Sequence, residues 1–389
     1  MIKELVIEVQ NSTPLLVGWY DPLKQDVIGL RPTEIKGLWR WWARAFIAGA
    51  LYDLGILKGE ESNEVLLTPT KDSVITISYL VGKVLGLGYV GRGEESEASR
   101  FTLYVEGGVK PKLLHDKLQR ITLLTIRRRV EGVDVGQRFR VIIRKRVSKY
   151  PEAEDLALKI LILTLQLSGI GKGSRKGLGS LDILSEPPST SKDIKSLIKD
   201  VYSSCCEVIE KYKTYVRTSP VFRESECFNF PPLPLISKNS IYGVKISQIL
   251  RVRNVRFEVL HNFFIRSERC RVLHNNPRCD DDIRRNYVAW FLGLPREQRS
   301  TGYIITKVSR RASPIILSYH SNRNFFGDGG LLTILISGDW PKEITWRGVG
   351  SSKRISIDCK AIINAFNIVF NEYNQYLRKF NANIETIWP

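Results

Sequence analysis

GIGKGSRKGLGS, residues 169–180, combines five glycines with three cations and contains no acidic residue. It follows an almost wholly apolar run, LALKILILTLQLS, which predicts a buried helix, and it leads into a predicted strand at about 179–184. Glycines let backbone N–H groups approach a phosphate closely, and Lys172, Arg175 and Lys176 add positive charge. The loop therefore predicts contact with phosphate groups. The alternative is a loop packed on its own sheet, with glycines needed only for positive φ.

The order helix, loop, strand argues against the common nucleotide-binding loops. A P-loop needs G-x4-G-K-[ST] between a strand and a helix, and the chain contains no such string. The dinucleotide pattern G-x-G-x-x-G also fails, because Lys176 stands where the third glycine is required after Gly171 and Gly173. We therefore expect no nucleotide cofactor, and a polynucleotide backbone is the ligand that suits this loop best.

The charge of the chain favours the same partner. Its 389 residues include 59 basic and 40 acidic ones, a net charge of +19. Residues 1–190 hold 28 basic and 22 acidic residues, and the remainder holds 31 and 18, so both halves are basic. A folded chain this basic commonly binds a polyanion. No stretch approaches the roughly 18 apolar residues of a membrane span, and no signal peptide is apparent, so we expect a cytoplasmic protein that binds no membrane.

Two further segments concentrate positive charge. A helix from about Pro32 carries Lys36, Arg40 and Arg44 four residues apart, on the face opposite its apolar stripe. The segment 138–147 alternates arginine with apolar residues, and after a turn at 131–137 it predicts a β-hairpin with an arginine face. A solvated outer strand is the alternative for the hairpin.

The order of elements predicts an α+β fold with antiparallel sheets. Each half reads as strand, helix, strands, helix and strand, which suggests two βαββαβ units with insertions. The segment SEPPSTSK (185–192) reads as a linker, so the predicted domains are 1–190 and 191–389. The predicted helices of the second half are 194–212, 281–293 and 358–380, and its predicted strands are 303–308, 314–319 and 331–337.

The six cysteines do not indicate a disulfide framework, which is typical of small secreted domains. Cys205 and Cys206 lie on an apolar helical pattern and are expected to be core thiols. A second set contains the residue types that bind zinc, but its spacings fit no standard zinc module. That set is His261, Cys270, His274 and Cys279. We therefore expect no metal and no cofactor.

Three motifs resemble the RAMP superfamily of CRISPR proteins. GIGKGSRKGLGSL resembles the glycine-rich signature of that superfamily. RPTEIKGLWRWWARAF (31–46) resembles the first-helix motif of one RAMP family, the first subunits of type III-B (Cmr) effector complexes, although Ala43 before Arg44 departs from it. WFLGLP (290–295) and RRASPIIL (310–317) are similar to the C-terminal half of RAMP proteins.

The resemblance implies two ferredoxin-like (RRM-like) domains with insertions. It also implies a non-catalytic subunit that contacts the 3′ region of crRNA, where target RNA pairs, and that assembles with other Cmr subunits. The RRM stacking motif does not carry over, because GQRFRVII (136–143) lacks the aromatic pattern, so we expect phosphate contacts more than base stacking. The residues predicted to contact RNA are Arg31, Lys36, Arg40, Arg44, Arg138, Arg140, Arg144, Arg146, Gly171, Lys172, Gly173, Ser174, Arg175, Lys176, Arg310 and Arg311.

Two other functions remain open at this point. A repeat-RNA processing endoribonuclease of the same superfamily would use histidines for acid–base cleavage, or a carboxylate cluster with metal. The candidates are His115, His261, His274, His320, Asp280, Asp281 and Asp282. An assembly protein would instead dock its basic faces on acidic subunits, with Trp41 exposed outside the apolar stripe. The RNA-binding hypothesis requires the glycine-rich loop and the first helix to form a single trough.

Overall fold

A computed structural model describes residues 4–18, 21, 23–91, 95–114, 118, 121, 130–188, 190–217, 227, 229–264, 282–298, 301–305 and 310–389. The elements up to the predicted domain boundary are β1 (Glu4–Asn11), α1 (Pro32–Asp53), α2 (Lys71–Tyr79), β2 (Phe101–Glu106), β3 (Arg138–Lys145), α3 (Pro151–Leu167) and β4 (Leu181–Ile183). Those that follow are α4 (Ile194–Lys211), β5 (Ser247–Arg253), α5 (Phe257–Phe263), α6 (Asp282–Arg285), β6 (Arg296–Gln298), β7 (Thr301–Ile304), β8 (Ile315–His320), β9 (Gly329–Leu335), β10 (Glu343–Arg347), β11 (Ser352–Ser356), α7 (Cys359–Arg378) and β12 (Asn383–Trp388). The prediction of an α+β fold with antiparallel sheets is confirmed.

The first sheet has the strand order β2-β3-β1-β4, and every neighbouring pair is antiparallel. Its buried face carries Leu5, Ile7 and Val9 of β1, which alternate with the less buried Glu4, Val6 and Glu8 as the period of a strand requires. The predicted hairpin at 131–147 is wrong, because β3 pairs with β1 and β2 and lies inside the sheet. Glu131–Gly132 pairs instead with Lys112–Leu113.

Helices α1 and α3 cover the buried face of this sheet. Trp39 and Trp42 of α1 are fully buried, and their indole N–H groups donate to the carbonyl of Ala157 at 2.7 Å and to Ser168 Oγ at 3.2 Å. These hydrogen bonds satisfy the polar atom of each buried indole. They fix α1 against α3, so the polar face of α1 is held toward the edge of the domain.

A second sheet has the order β8-β9-β5-β12 and is also antiparallel. Helix α7 begins where Asp358 caps the backbone N–H of Ala361, close to the predicted start at residue 358. The helix predicted at 281–293 is wrong in extent, because α6 ends at Arg285 and only a short 3-10 turn, Ala289–Leu292, follows. A third sheet, β6-β7-β10-β11, and several two-residue strand pairs complete the described strands.

Helix α4 follows the predicted domain boundary, but it packs against α1 and α3 of the first half as well as against β12. Its apolar stripe, which includes Leu197, Val201 and Cys205, is buried by these contacts. Cys205 is therefore a core thiol, as predicted. Within the described residues, no helix has the length and apolar character needed to cross a membrane.

One disulfide contradicts the expectation drawn from the cysteines. Cys227 and Cys359 are bonded, with their Cα atoms 5.7 Å apart. The bond joins the first residue of α7 to a segment 132 positions earlier in the chain, and such a spacing gives no sequence signal. Of the set considered for zinc, Cys270, His274 and Cys279 lie outside the described residues, and within the described part no cluster could hold a metal.

A buried ion cluster anchors the start of α3. Glu154 is fully buried and lies 2.8 Å from Arg100 and 3.1 Å from Lys145. Burial alone would raise the pKa of Glu154, but hydrogen bonds from the backbone N–H groups of Lys149 and Tyr150 and from a nearby serine outweigh it and lower the pKa to about 2. The carboxylate is therefore ionised in the folded protein.

Substitution Glu154→Gln should reduce the free energy of unfolding by about 3–5 kcal/mol, because it leaves buried cations without their partner. Since the folded pKa lies below the ordinary 4.5, this contribution is present above that pH and fades as the pH falls toward 2. Urea unfolding of the wild type and the variant from pH 7 to pH 3 measures it. Glu152→Gln, which changes an exposed residue of the same helix, is the control and should change little. The prediction would be contradicted if the wild type and the variant differed in free energy of unfolding by the same amount at pH 7 and at pH 3.

Candidate nucleic-acid interface

The glycine-rich loop packs on its own domain. Gly171, Gly173, Gly177 and Gly179 all have positive φ. A Cβ on Gly179 would lie 2.1 Å from the carbonyl oxygen of Ile170, so the glycine is needed for close backbone approach as well as for its φ. The structure therefore favours the packing explanation for the glycines.

The backbone of this loop is largely satisfied by the protein itself. The N–H of Lys172 donates to Leu16 O at 2.8 Å, that of Gly179 donates to Pro14 O at 2.9 Å, and that of Lys176 donates to Gly173 O at 2.8 Å. Groups that already donate within the fold cannot also cradle a phosphate. These three amides are therefore not available to a phosphate, and contact between the loop and RNA stays a prediction.

Two of the three loop cations point into contacts with the second half of the chain. Arg175 Nη1 donates to Ser313 O at 2.8 Å, and its guanidinium stands 5.1 Å from the ring of Trp41 on α1. Burial, with repulsion from Arg311, lowers the pKa of Arg175 to about 10. The Lys176 ammonium lies 4.9 Å from the ring of Phe264. Loop and helix do adjoin, as expected, but their cations do not line one open trough.

Lys172 and Ser174 are half-buried. Burial lowers the pKa of the Lys172 ammonium group. Trp41, predicted to be exposed, is half-buried and packs edge-to-face on Trp42 with their ring centroids 5.0 Å apart. The loop thus joins α1 to the second half through Arg175.

Helix α1 presents a continuous line of cations. Lys36, Arg40 and Arg44 lie one turn apart, and Arg146, just after β3, lies near Lys36. We call these four side chains the α1 basic strip. Arg44 and Arg146 are exposed and make no ion pair with any described residue. Burial, with repulsion from the adjacent cations, lowers the pKa of Lys36 and of Arg40.

Backbone carbonyls hold the two half-buried members of the strip in place. Arg40 donates from Nε and Nη2 to the carbonyl of Leu87 at 2.8 and 2.6 Å. Lys36 Nζ donates to the carbonyl of Phe101 at 3.3 Å. Because neither partner is a carboxylate, both side chains keep their positive charge uncompensated, which attracts an anion from solution.

A cleft of about 530 Å³ opens beside the strip. Its walls are α1, the end of α2 with the turn that follows, and a hairpin closed by backbone hydrogen bonds between Tyr89 and Glu97. The lining residues are Arg40, Arg44, Ser78, Val81, Gly82, Gly88, Tyr89, Val90, Ser96, Glu97, Ala98 and Ser99. No sequence pattern predicts this cleft, because the hairpin meets α1 only through tertiary packing.

The arginine face of β3 is exposed, as predicted, but glutamates neutralise much of it. Arg140 Nη1 lies 2.6 Å from Glu106, and Arg144 Nε lies 2.5 Å from Glu4. Arg138, at the start of the strand, has no ion pair with any described residue. The central position of β3 explains the difference, because its neighbours on both sides supply acidic residues to the same face.

The other predicted arginines have varied settings. Arg31 is paired with Asp26 at 2.6 Å and donates to Gly18 O. Arg311 is only 6% exposed and is paired with Asp339 at 2.8 Å, so it has a structural role in the second half. Arg310 is exposed. As RNA contacts, all of these residues stay predictions.

The described histidines are structural. His261 is buried and its Nδ1 lies 2.7 Å from Lys176 O. His320 is buried, 3.2 Å from Asp182 Oδ1 and 2.9 Å from the carbonyl of Gln166. His115, His274, Asp280 and Asp281 lie outside the described residues, and Asp282 begins α6.

Comparison with known proteins agrees with the sequence motifs. Residues 10–182 match the model of the RAMP superfamily. The chain is also similar to the CRISPR system Cmr subunit Cmr1-2 of Pyrococcus furiosus, with 26% identity over 187 residues, which cover 46% of this chain and 95% of that protein.

Two solved structures share the fold of this chain over nearly its whole length. The crystal structure of apo Cmr1 from Pyrococcus furiosus aligns with a TM-score of 0.50 and 18% identity, covering 100% of this chain and 99% of that one. A chain of the type III-B Cmr-beta complex bound to cognate target RNA aligns with a TM-score of 0.55 and 15% identity, covering 95% and 100%. The similarity therefore extends beyond the residues that match the RAMP model.

Substitution Gly179→Ala should lower the free energy of unfolding by about 2–5 kcal/mol, because the new methyl group combines an unfavourable φ with a clash against Ile170 O. Gly55→Ala is the matched control, since Gly55 also has positive φ but has nothing within 4 Å of the added Cβ. It should cost about 1 kcal/mol. Chemical denaturation measures both, and equal losses would argue against tight packing of the loop.

Proposed function

We propose that this chain is a non-catalytic RNA-binding subunit of a type III-B CRISPR (Cmr) effector complex. It contacts the 3′ region of crRNA, the target RNA paired with it, or both, and it assembles with other Cmr subunits in the cytoplasm. The match of residues 10–182 to the RAMP superfamily model and the similarity to Cmr1-2 support this proposal. So does the shared fold with a chain of a Cmr complex bound to target RNA.

The observation that carries the RNA-binding part is the α1 basic strip. It places four cations in a row on an accessible edge of the RAMP domain, and the described structure gives none of them a carboxylate partner. Evenly spaced positive charge without an internal partner suits a ribose–phosphate backbone. The β3 face is a weaker candidate, because Glu4 and Glu106 already pair with two of its arginines.

We further propose that both halves are ferredoxin-like, with boundaries near 1–190 and 191–389. The main sheets support this, because β2-β3-β1-β4 and β8-β9-β5-β12 have the same order when their strands are numbered within each half. In each half the helices follow the first and third of these strands, as in a βαββαβ unit. The glycine-rich loop lies between α3 and β4 of the first unit and contacts the second unit through Arg175 and Lys176.

The non-catalytic part of the proposal is supported by the buried state of His261 and His320. Both rings are enclosed and bonded to the first half of the chain, so neither can reach an RNA phosphate. Incubation of the purified chain with repeat and target RNA, with Mg²⁺ or with EDTA, tests this part. We expect no specific products in either condition, and a product lost on a histidine substitution would favour the endoribonuclease instead.

The double substitution Arg44→Ala/Arg146→Ala should weaken binding of single-stranded RNA without unfolding the chain. Each lost phosphate contact should reduce the steepness of the log–log salt dependence by about 0.7. Fluorescence anisotropy at several salt concentrations measures both effects.

The matched control for this experiment is Arg140→Ala/Arg144→Ala, which removes the same charge from the β3 face. Because those arginines are paired with glutamates, the control should retain most of the affinity. A control variant that loses as much affinity as the strip variant would move the interface from α1 to the sheet.

A further inference from the structure

We propose that the cleft beside α1 is a binding pocket for one unpaired nucleotide of RNA, selective for a base with an exocyclic amino group. This inference deepens the proposed function and rests on it, because the strip is what brings RNA to the cleft. Its volume of about 530 Å³ falls within the range of about 300–1,000 Å³ that is usual for small-molecule sites.

The cleft joins a cationic wall to an aromatic one. Arg40 and Arg44 line it on the α1 side, where they can meet a phosphate. Tyr89 lines it on the opposite side and stacks on Tyr79 with ring centroids 4.8 Å apart and an interplanar angle of 15°. The Lys83 ammonium stands 4.7 and 4.8 Å from these two rings. A ring already fixed in this way is a platform on which a base can stack at low entropic cost.

Two glycines keep the cleft open. A Cβ on Gly82 would lie 2.8 Å from both Gly88 O and Tyr89 Cβ, and one on Gly88 would lie 2.8 Å from Arg40 Nη2. Side chains at these positions would therefore displace the tyrosine or the arginine from the walls. The absence of side chains here lets the cationic and aromatic walls face one shared space.

Glu97 supplies the selectivity. Its Oε1 accepts from Lys149 Nζ at 2.8 Å, while its Oε2 is shielded from solvent and has no hydrogen-bond partner among the described residues. A shielded carboxylate oxygen without a donor is costly, and it is relieved when a ligand supplies an N–H. The amino groups of cytosine, adenine and guanine are such donors, whereas uracil presents a carbonyl oxygen at the corresponding edge. Once its side chain turns Oε2 toward the cleft that Glu97 lines, Glu97 would thus accept from the first three bases and repel uracil.

Comparing cytosine with uracil gives the sharpest test, since the two rings stack alike and differ at the amino position. The probes are RNA oligonucleotides of ten cytidines (C10) and of ten uridines (U10). Fluorescence anisotropy with the full chain should show about tenfold tighter binding of C10 than of U10, within the range expected for one base contact. Glu97→Gln should bring the two affinities within about twofold, because an amide can donate to uracil as well as accept from cytosine. Tyr89→Leu should weaken the binding of both oligonucleotides by about tenfold without changing the ratio of the two affinities.

Glu343→Gln is the control for the change in net charge, because Glu343 is an exposed carboxylate of β10 paired with Arg354, outside the cleft. This control variant should still bind C10 about tenfold more tightly than U10. Thermal melting of each variant checks that it is folded, and Glu97→Asp provides a second variant that keeps the charge while shortening the reach.

The outcomes separate this inference from the function on which it rests. Equal affinity for C10 and U10 would overturn the nucleotide pocket, and so would a tenfold ratio of the two affinities that Glu97→Gln leaves unchanged. Neither result would contradict the RNA-binding proposal. Absence of any salt-sensitive RNA binding would overturn both. Cytidine monophosphate should compete weakly, because it lacks neighbouring phosphates for the strip, and competition as strong as that of C10 would assign the cleft to a free nucleotide.

Discussion

The contact between the glycine-rich loop and the second half of the chain is the constraint on which the rest of the molecule depends. Leu317 N donates to Arg175 O at 3.1 Å, and His261 Nδ1 lies 2.7 Å from Lys176 O. On the other side of the loop, Thr13 Oγ1 donates to Gly177 O at 2.7 Å. A segment bonded on both sides cannot move freely, so it fixes the two halves of the chain against each other.

This constraint explains where accessible charge remains. The loop uses Arg175 to connect Ser313 with Trp41, so much of its positive charge is committed to holding the fold. On the outer edge of α1, only Lys36 and Arg40 bond to the protein, through backbone carbonyls of described residues. Arg44 is exposed, and it lines the neighbouring cleft together with Arg40. The same residue types thus stabilise the fold in one place and remain available for an anion in another, because burial differs.

The sequence predicted what depends on local periodicity. The start of α1, the buried α3, the strands of the first sheet, β8 and β9 of the second sheet and the shared charge of Lys36, Arg40 and Arg44 follow from spacing, as does the RAMP resemblance from motifs. The other two strands of the second sheet, β5 and β12, were not predicted. Properties set by tertiary pairing could not be predicted. The acidic partners of Arg140 and Arg144 come from other strands, the partner of Cys227 lies 132 residues away, and the cleft depends on Glu97 reaching α1 through a hairpin.

Hydrogen–deuterium exchange of the full chain, with and without single-stranded RNA, tests the central claim most directly. The account predicts that residues 170–180 exchange slowly in the free protein, because packing already protects them, and gain little on RNA binding. The cleft hairpin, which includes residues 95–99, should gain protection when RNA is added. Rapid exchange of the loop in the free protein, followed by strong protection with RNA while the hairpin is unchanged, would show that the loop itself is the RNA site and would contradict the account.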